Sequence, residues 1–319
     1  MWPVNWINNY TNTLNNLAAA YENLQASERS LPLYQEAVRI WSQCYESDAE
    51  SSVVGYSDSL NNLAITYKKF GCPAKTVPLY QKSVEIWYKA YESAQEKKSR
   101  LESLYAEQTI ASNNLLTNMQ SIITSDIEKA LEGYASSLND LAMTYVEQGR
   151  PTEALSLLEK ALSIHLEGYE SAPERWANDY ANSLGNLART LEDTQELSRA
   201  LEIWQEAKEL TVKHSRLPEE VWLQLRVVAM IMSARLLRML ERFSEALSEL
   251  DTSEALLVEM DDAEHAERHS SRAWSLTERA KILIQAGDVS AAKALVPKLE
   301  SLNLDHGLQD LADGVDTMP

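Results

Sequence analysis

A chain of 319 residues, 45% hydrophobic and 24% charged, is long enough to bury an extended core, and nine glycines and nine prolines are too few for a β-rich or low-complexity protein. Forty-eight acids against 29 bases give a net charge of -19, which argues against nonspecific attraction to phosphate and so against nucleic acid as a partner. The two cysteines, Cys44 and Cys72, form no metal-ligand spacing and no disulfide framework, so a cytoplasmic protein is expected.

The first residues, "MWPVNWINNY", have no basic region followed by an apolar run, and no secretory signal is expected. Trp2, Val4, Trp6 and Ile7 stand there without an obvious polar capping helix. This end is expected to fold back, to contact a partner or to continue a longer chain.

"TLNNLAAAY", "SLNNLAITY", "SLNDLAMTY" and "SLGNLARTL" then repeat one phrase. Their leading leucines, Leu14, Leu60, Leu138 and Leu184, lie 46, 78 and 46 residues apart, and two more steps of 46 reach Met230 and Leu276. Four residues after each marker comes alanine: Ala18, Ala64, Ala142, Ala188, Ala234 and Ala280. Sixteen after it come the small residues Ser30, Thr76, Ala154, Ala200, Ala246 and Ala292, while large apolar residues hold the places seven and 20 after it. Small residues set against large ones at fixed offsets are what two antiparallel helices require.

Gly71, Gly149 and Gly287 stand 11 residues after their markers, where a left-handed cap would end the first helix. Gln25, Gln195 and Glu241 take that place in the other copies, at a cost on the order of 1 kcal/mol if the geometry is kept. Each copy therefore predicts a helix, a short turn and a helix.

"SLNNLAITYKKFG" and "SLNDLAMTYVEQGRPTEALSLLEKALSI" resemble tetratricopeptide repeats, most of all the long-helix kind found in kinesin light chains and in many bacterial and fungal signalling proteins. The resemblance covers roughly residues 8 to 303 and implies an all-α, right-handed superhelical solenoid of about six repeats, near 8–50, 54–100, 126–172, 178–216, 220–260 and 270–303. The period exceeds the usual length of about 34 by enough for about three extra helical turns, so unusually long second helices are expected. The wide interval between the second and third copies holds a helical insertion at 101–125, and 304–319 would form a C-terminal cap or tail.

Chemistry is sparse. No Gly-rich phosphate loop and no G-x-S-x-G occurs, and in "HAERH", His265 to His269, Glu267 is misplaced for both zinc-protease patterns. His165 falls where two earlier copies have Trp41 and Trp87 and reads as a packing variant. The apolar window "VWLQLRVVAMIMSARLLRML" carries Arg226, Arg235 and Arg238, against a membrane span. Neither an enzyme, a cofactor nor a metal site is expected.

With the marker and the residues three, four and seven after it turned to the partner helix, the opposite face of each first helix holds the asparagines. One residue after the marker stand Asn15, Asn61, Asn139 and Gly185; two after it, Asn16, Asn62, Asp140 and Asn186. Asparagine offers donors and an acceptor, so such a row can hold the backbone of an extended peptide; the alternative is bonding between neighbouring repeats or to water. In related tetratricopeptide proteins matching asparagines contact peptide backbone, and the resemblance implies this for Asn16, Asn62 and Asn186.

Five after the marker the same face carries Ala19, Ile65 and Met143 and then Arg189, Arg235 and Lys281, with Lys69 and Arg238 nearby. A ligand held by apolar contact at one end and by acidic groups at the other fits it, unless the bases pair with local acids such as Glu192 and Glu241. Eight after the marker, Glu22, Lys68, Val146, Glu192, Arg238 and Ile284 follow no visible rule.

The expected function is non-enzymatic: a scaffold or adaptor that binds a protein or peptide, without nucleic acid or membrane. A regulatory sensor or inhibitor of a caspase-like peptidase or NTPase switch is the alternative, and a metal-dependent enzyme at His265 and His269 the remote one. The sequence leaves oligomeric state and partner open.

Overall fold

The computed structural model describes residues 4–24, 26–106, 113–213, 219–259 and 266–300, and among them there is no strand. In chain order the helices are α1 (Val4–Asn23), α2 (Ser30–Ser47), α3 (Ala49–Lys69), α4 (Thr76–Ala106), α5 (Asn113–Glu147), α6 (Pro151–Ser171), α7 (Pro173–Asp193), α8 (Leu197–Lys213), α9 (Glu219–Met239), α10 (Phe243–Glu259), α11 (Ala266–Gln285), α12 (Val289–Lys293) and α13 (Val296–Glu300). The fold is an all-α array of helix-turn-helix repeats. The odd-numbered helices α1 to α11 are the first helices of the six copies.

One hydrogen-bond pattern closes all six of them. The amide 12 residues after each marker donates to the carbonyl seven after it: Ala26 to Tyr21, Cys72 to Tyr67, Arg150 to Tyr145, Glu196 to Leu191, Arg242 to Leu237 and Asp288 to Leu283, at 2.8 to 2.9 Å. The residue just before that amide is left-handed, at φ 66° in Gly71, 72° in Gly149 and 86° in Gly287, and Gln195 and Glu241 adopt the same geometry at 65° and 60°. Gln25 lies outside the described residues.

The long period is shared between both helices rather than placed in the second. First helices α1, α3, α7, α9 and α11 have 20 or 21 residues, whereas α8 and α10 have 17, so the expectation of unusually long second helices fails there. Two of the turns between repeats are single residues, Ala172 between α6 and α7 and Asp48 between α2 and α3, and the Asp48 side chain caps α3 by accepting from the Ser51 amide at 3.2 Å. The wide interval lengthens α4 to 31 residues and α5 to 35. Leu101, Leu116 and Ile123, with Ile127 against them, make a small core where those two helices run on.

Two compact units divide the chain, Met1–Trp176 and Ala177–Pro319. In the first, Trp41, Tyr56, Leu60, Ile86, Trp87, Tyr134 and Leu138 belong to one buried cluster. The indole of Trp87 donates to Ser57 Oγ at 2.8 Å, Ser57 and Ser83 hydroxyls lie 2.6 Å apart, and Ser83 and Ser137 hydroxyls 2.8 Å apart, so α3, α4 and α5 share a satisfied buried polar chain. Ser253 and Ser275 repeat the last of these contacts in the second unit at 3.3 Å. There Trp204, Leu184, Leu191, Leu236 and Leu250 are fully buried.

His165 is buried on α6, with its ring 5.9 Å from that of Trp176. Burial pushes its pKa down to about 4, against a smaller opposing pull from Glu132.

Candidate functional site: the exposed faces of the first helices

In the first unit, α1, α3 and α5 present residues at the same register. Asn16 is exposed, Asn62, Asp140 and Met143 are half-buried, and Ile65 is 44% exposed. The Thr66 and Thr144 hydroxyls each donate to the carbonyl four residues back, Asn62 and Asp140, at 2.8 Å. These bonds fix the backbone beneath the candidate ligand contacts.

The asparagines one residue earlier behave differently. Asn15, Asn61 and Asn139 are half-buried, and the amide oxygens of Asn15 and Asn61 are shut off from solvent without a hydrogen-bond partner. Those two oxygens face the fold rather than solvent. Gly185 takes that place in the fourth copy and is buried.

Asp140 is the one acid in the row. Burial raises its carboxyl to about pH 6, against the lowering influence of Lys68. Tyr80, on α4, is pushed above its ordinary value by burial first and then by the charges of Asp140 and Glu147.

The residues eight after each marker do follow a rule, which appears only in three dimensions: where they are charged they bind the next copy. Glu22 on α1 accepts from the Thr66 hydroxyl at 3.2 Å and pairs with Lys69 on α3. Lys68 on α3 pairs with Glu147 on α5. In the second unit Glu192 on α7 meets Arg235 on α9 at 2.7 Å, and Arg238 on α9 meets Glu278 and Gln285 on α11 at 3.4 and 3.0 Å.

These pairs engage the basic line as well as Lys69. Arg235 is held by Glu192, while Arg238 and Lys281 share Glu278, the latter at 2.9 Å, and Arg189 donates to the Asn186 side-chain oxygen at 2.9 Å. The Glu192 and Glu278 side chains are only 10% and 3% exposed, so the bases neutralise acids that would otherwise be buried unpaired.

A second feature lies in the first unit where α4 and α5 run on. A cavity of about 280 Å³ opens between α2, α3, α4 and α5, with Val53, Trp87, Ala94 and Ala130 among its walls and Lys97 and Asp126 among its charged residues.

Among the described residues no group of three or more His, Cys, Asp or Glu could hold a metal ion, and no helix is long and apolar enough to cross a membrane. His265 lies outside the described residues. Burial raises the Cys44 thiol, which keeps it protonated.

Three stretches, residues 11–46, 135–170 and 181–215, match the sequence profile of the tetratricopeptide repeat. These are tetratricopeptide repeats. The fold is similar to that of a putative kinesin light chain with nearly identical tetratricopeptide-like repeats from Podospora anserina, at 19% identity and a TM-score of 0.52 over 77% of this chain and 93% of that one. It is also similar to BtubC from P. vanneervenii, at 18% identity and a TM-score of 0.58 over 86% of this chain and 90% of that one. The apo form of RapI matches over 96% of this chain and 85% of that one, at 14% identity and a TM-score of 0.50. No curated protein sequence matches. Tetratricopeptide arrays use the extended surfaces of their stacked helices as protein-interaction scaffolds.

Proposed function

We propose that this tetratricopeptide protein is a non-enzymatic scaffold whose first-helix faces hold an extended protein segment. In the first unit Asn16, Asn62 and Asp140 position the ligand backbone, and Ala19, Ile65 and Met143 receive its apolar side chains. The observation that carries this reading is the exposed Ile65, set three residues from Asn62 on a face whose neighbouring charges, Lys69 with Glu22 and Lys68 with Glu147, are already paired. A neutral strip between closed ion pairs suits a backbone that brings no charge.

In the second unit Asn186 and Arg189 continue the same register, and Arg235, Arg238 and Lys281 supply three positive charges against the two buried carboxylates of Glu192 and Glu278. The excess favours an acidic segment on this unit. It is a modest preference, since each base has a partner to leave.

The test begins with capture of partners by the full chain and proceeds to calorimetry with the partner recovered. Replacing Asn16 and Asn62 together by Ala is expected to weaken binding more than tenfold with thermal unfolding nearly unchanged. Unaltered affinity removes the asparagines from the site.

A further inference from the structure

The cavity between α2, α3, α4 and α5 is a site of its own, since none of its lining residues belongs to the asparagine strip. Val53 of α3, Trp87, Ala90 and Ala94 of α4 and Ala130 of α5 line it, with Tyr45 of α2 beside them. The alanines are small, and the space that larger side chains would fill is left open.

Its interior asks for no hydrogen bond. The indole N–H of Trp87 is taken by Ser57 Oγ at 2.8 Å, so the ring offers the cavity its carbon surface. Among the described residues, none of the buried side-chain polar atoms that lack a hydrogen bond belongs to this lining. Water entering such a space finds few partners, and an apolar occupant displaces it at little cost.

The bases around the cavity already face acids. Lys97 of α4 reaches Glu50 of α3 at 2.6 Å, and Lys89 is held by Glu85 one turn back at 2.6 Å. Lys129 of α5 acts on Asp58 of α3, whose carboxyl burial raises and the lysine lowers. Asp126 is exposed and stays hydrated. An anion would therefore have to break an existing pair to find a counter-charge, and an uncharged molecule breaks none.

Size and wall chemistry narrow the class further. An apolar cavity of roughly 150 Å³ takes one benzene, so about 280 Å³ has room for two fused rings. Trp87 and Tyr45 supply ring edges and faces against which such a flat molecule packs better than a chain does.

We propose that this cavity binds a small, uncharged, two-ring aromatic molecule. Because α3 and α5 also carry Asn62 and Asp140, an occupant that stiffens their packing stabilises the unit that presents them.

Calorimetric titration of the full chain with indole tests this, with an expected dissociation constant on the order of 0.1 to 1 mM for so few atoms. Ala94→Leu and Ala90→Leu put a side chain into the space, and each should weaken binding at least tenfold while the melting temperature of the ligand-free protein holds or rises. Bound indole should also show nuclear Overhauser contacts with the Val53 methyl groups, which locates it in the unaltered chain should a leucine variant melt lower. Indole-3-carboxylate, the same rings with a negative charge, should bind at least tenfold more weakly than indole. Absence of saturable heat up to about 5 mM indole overturns the proposal. So do binding that survives both leucine variants, absence of the Val53 contacts, and a carboxylate that binds as tightly as indole.

Discussion

Trp41 on α2 occupies the space beside Gly55 on α3 so closely that a Cβ on the glycine would lie 2.1 Å from the indole ring. Trp87 and Gly133 repeat the arrangement one copy later at 2.2 Å. In the third copy the partners change helices, for Gly168 on α6 takes the ring of Trp176 from α7 at 2.3 Å, and His165 holds the place of the tryptophan. Each glycine costs its helix about 1 kcal/mol of propensity and in return lets a tryptophan seal two repeats together.

Gly55→Ala and Gly133→Ala should therefore destabilise the protein by about 1 to 2 kcal/mol, because displacing a packed indole costs more than the alanine regains. Gly185→Ala should do the opposite. The nearest atom to its added Cβ, on Trp204, is 3.5 Å away, an ordinary contact, so a gain of about 0.5 to 1 kcal/mol is expected. Urea unfolding of the three variants checks both signs.

Burial of the neutral His165 makes stability depend on pH. Its folded pKa of about 4 lies below the ordinary value of 6.5, so the unfolded chain takes up the proton first, and stability is lost as pH falls from about 6.5 to about 4. The loss should reach at most about 3 kcal/mol, and His165→Gln should flatten it. A set of unfolding curves across that interval, in which the variant kept the wild-type slope, would refute the assignment.

Asp140 works in the other direction. Its folded pKa of about 6 lies above the ordinary 3.8, so the folded chain holds the proton longer, and stability falls as pH rises from about 4 to about 6. Asp140→Asn, which restores the amide that Asn16, Asn62 and Asn186 carry at the same register, should stabilise the protein at neutral pH by about 2 kcal/mol after allowance for solvent screening, and by nothing near pH 4. Denaturation at the two pH values distinguishes this from a general effect of the amide.

The period and the caps were legible because they depend on residues near one another in sequence. Ala18 and its five counterparts mark close helix contact within a copy, and the left-handed residue that ends each described first helix is a local choice, so even Gln195 and Glu241 could be placed before the structure. What a residue meets in the next copy was not legible. Leu17 carries the same letter as Leu63 and Leu141 yet is exposed while they are buried, Leu63 against Tyr34 of α2 and Leu141 against Tyr80 of α4. Lys68 and Glu147 are 79 residues apart, and the inserted residues hide even the regular step between them.

The ion pairs that bind one copy to the next differ in consequence with their burial. Lys69 is 58% exposed, and Lys69→Met should cost no more than about 1 kcal/mol. Glu278 lies at the other extreme: its side chain is 3% exposed and it faces both Arg238, itself 18% exposed, and Lys281. Glu278→Ala leaves the Arg238 guanidinium in a largely dry setting with Gln285 as hydrogen-bond partner and the nearby charge of Glu192, and should cost about 3 kcal/mol. Arg238→Met combined with Glu278→Leu should recover most of that loss, since the only charge it leaves without its Glu278 partner is Lys281, whose side chain is 44% exposed and can be solvated. A double-mutant cycle read by urea unfolding decides the point, and it bears on recognition as well. If Arg238 proves coupled to Glu278, loss of an acidic ligand in an Arg238 variant reports a disturbed repeat interface as much as a missing contact, and Arg189 and Lys281 become the bases on which preference for an acidic partner should be judged.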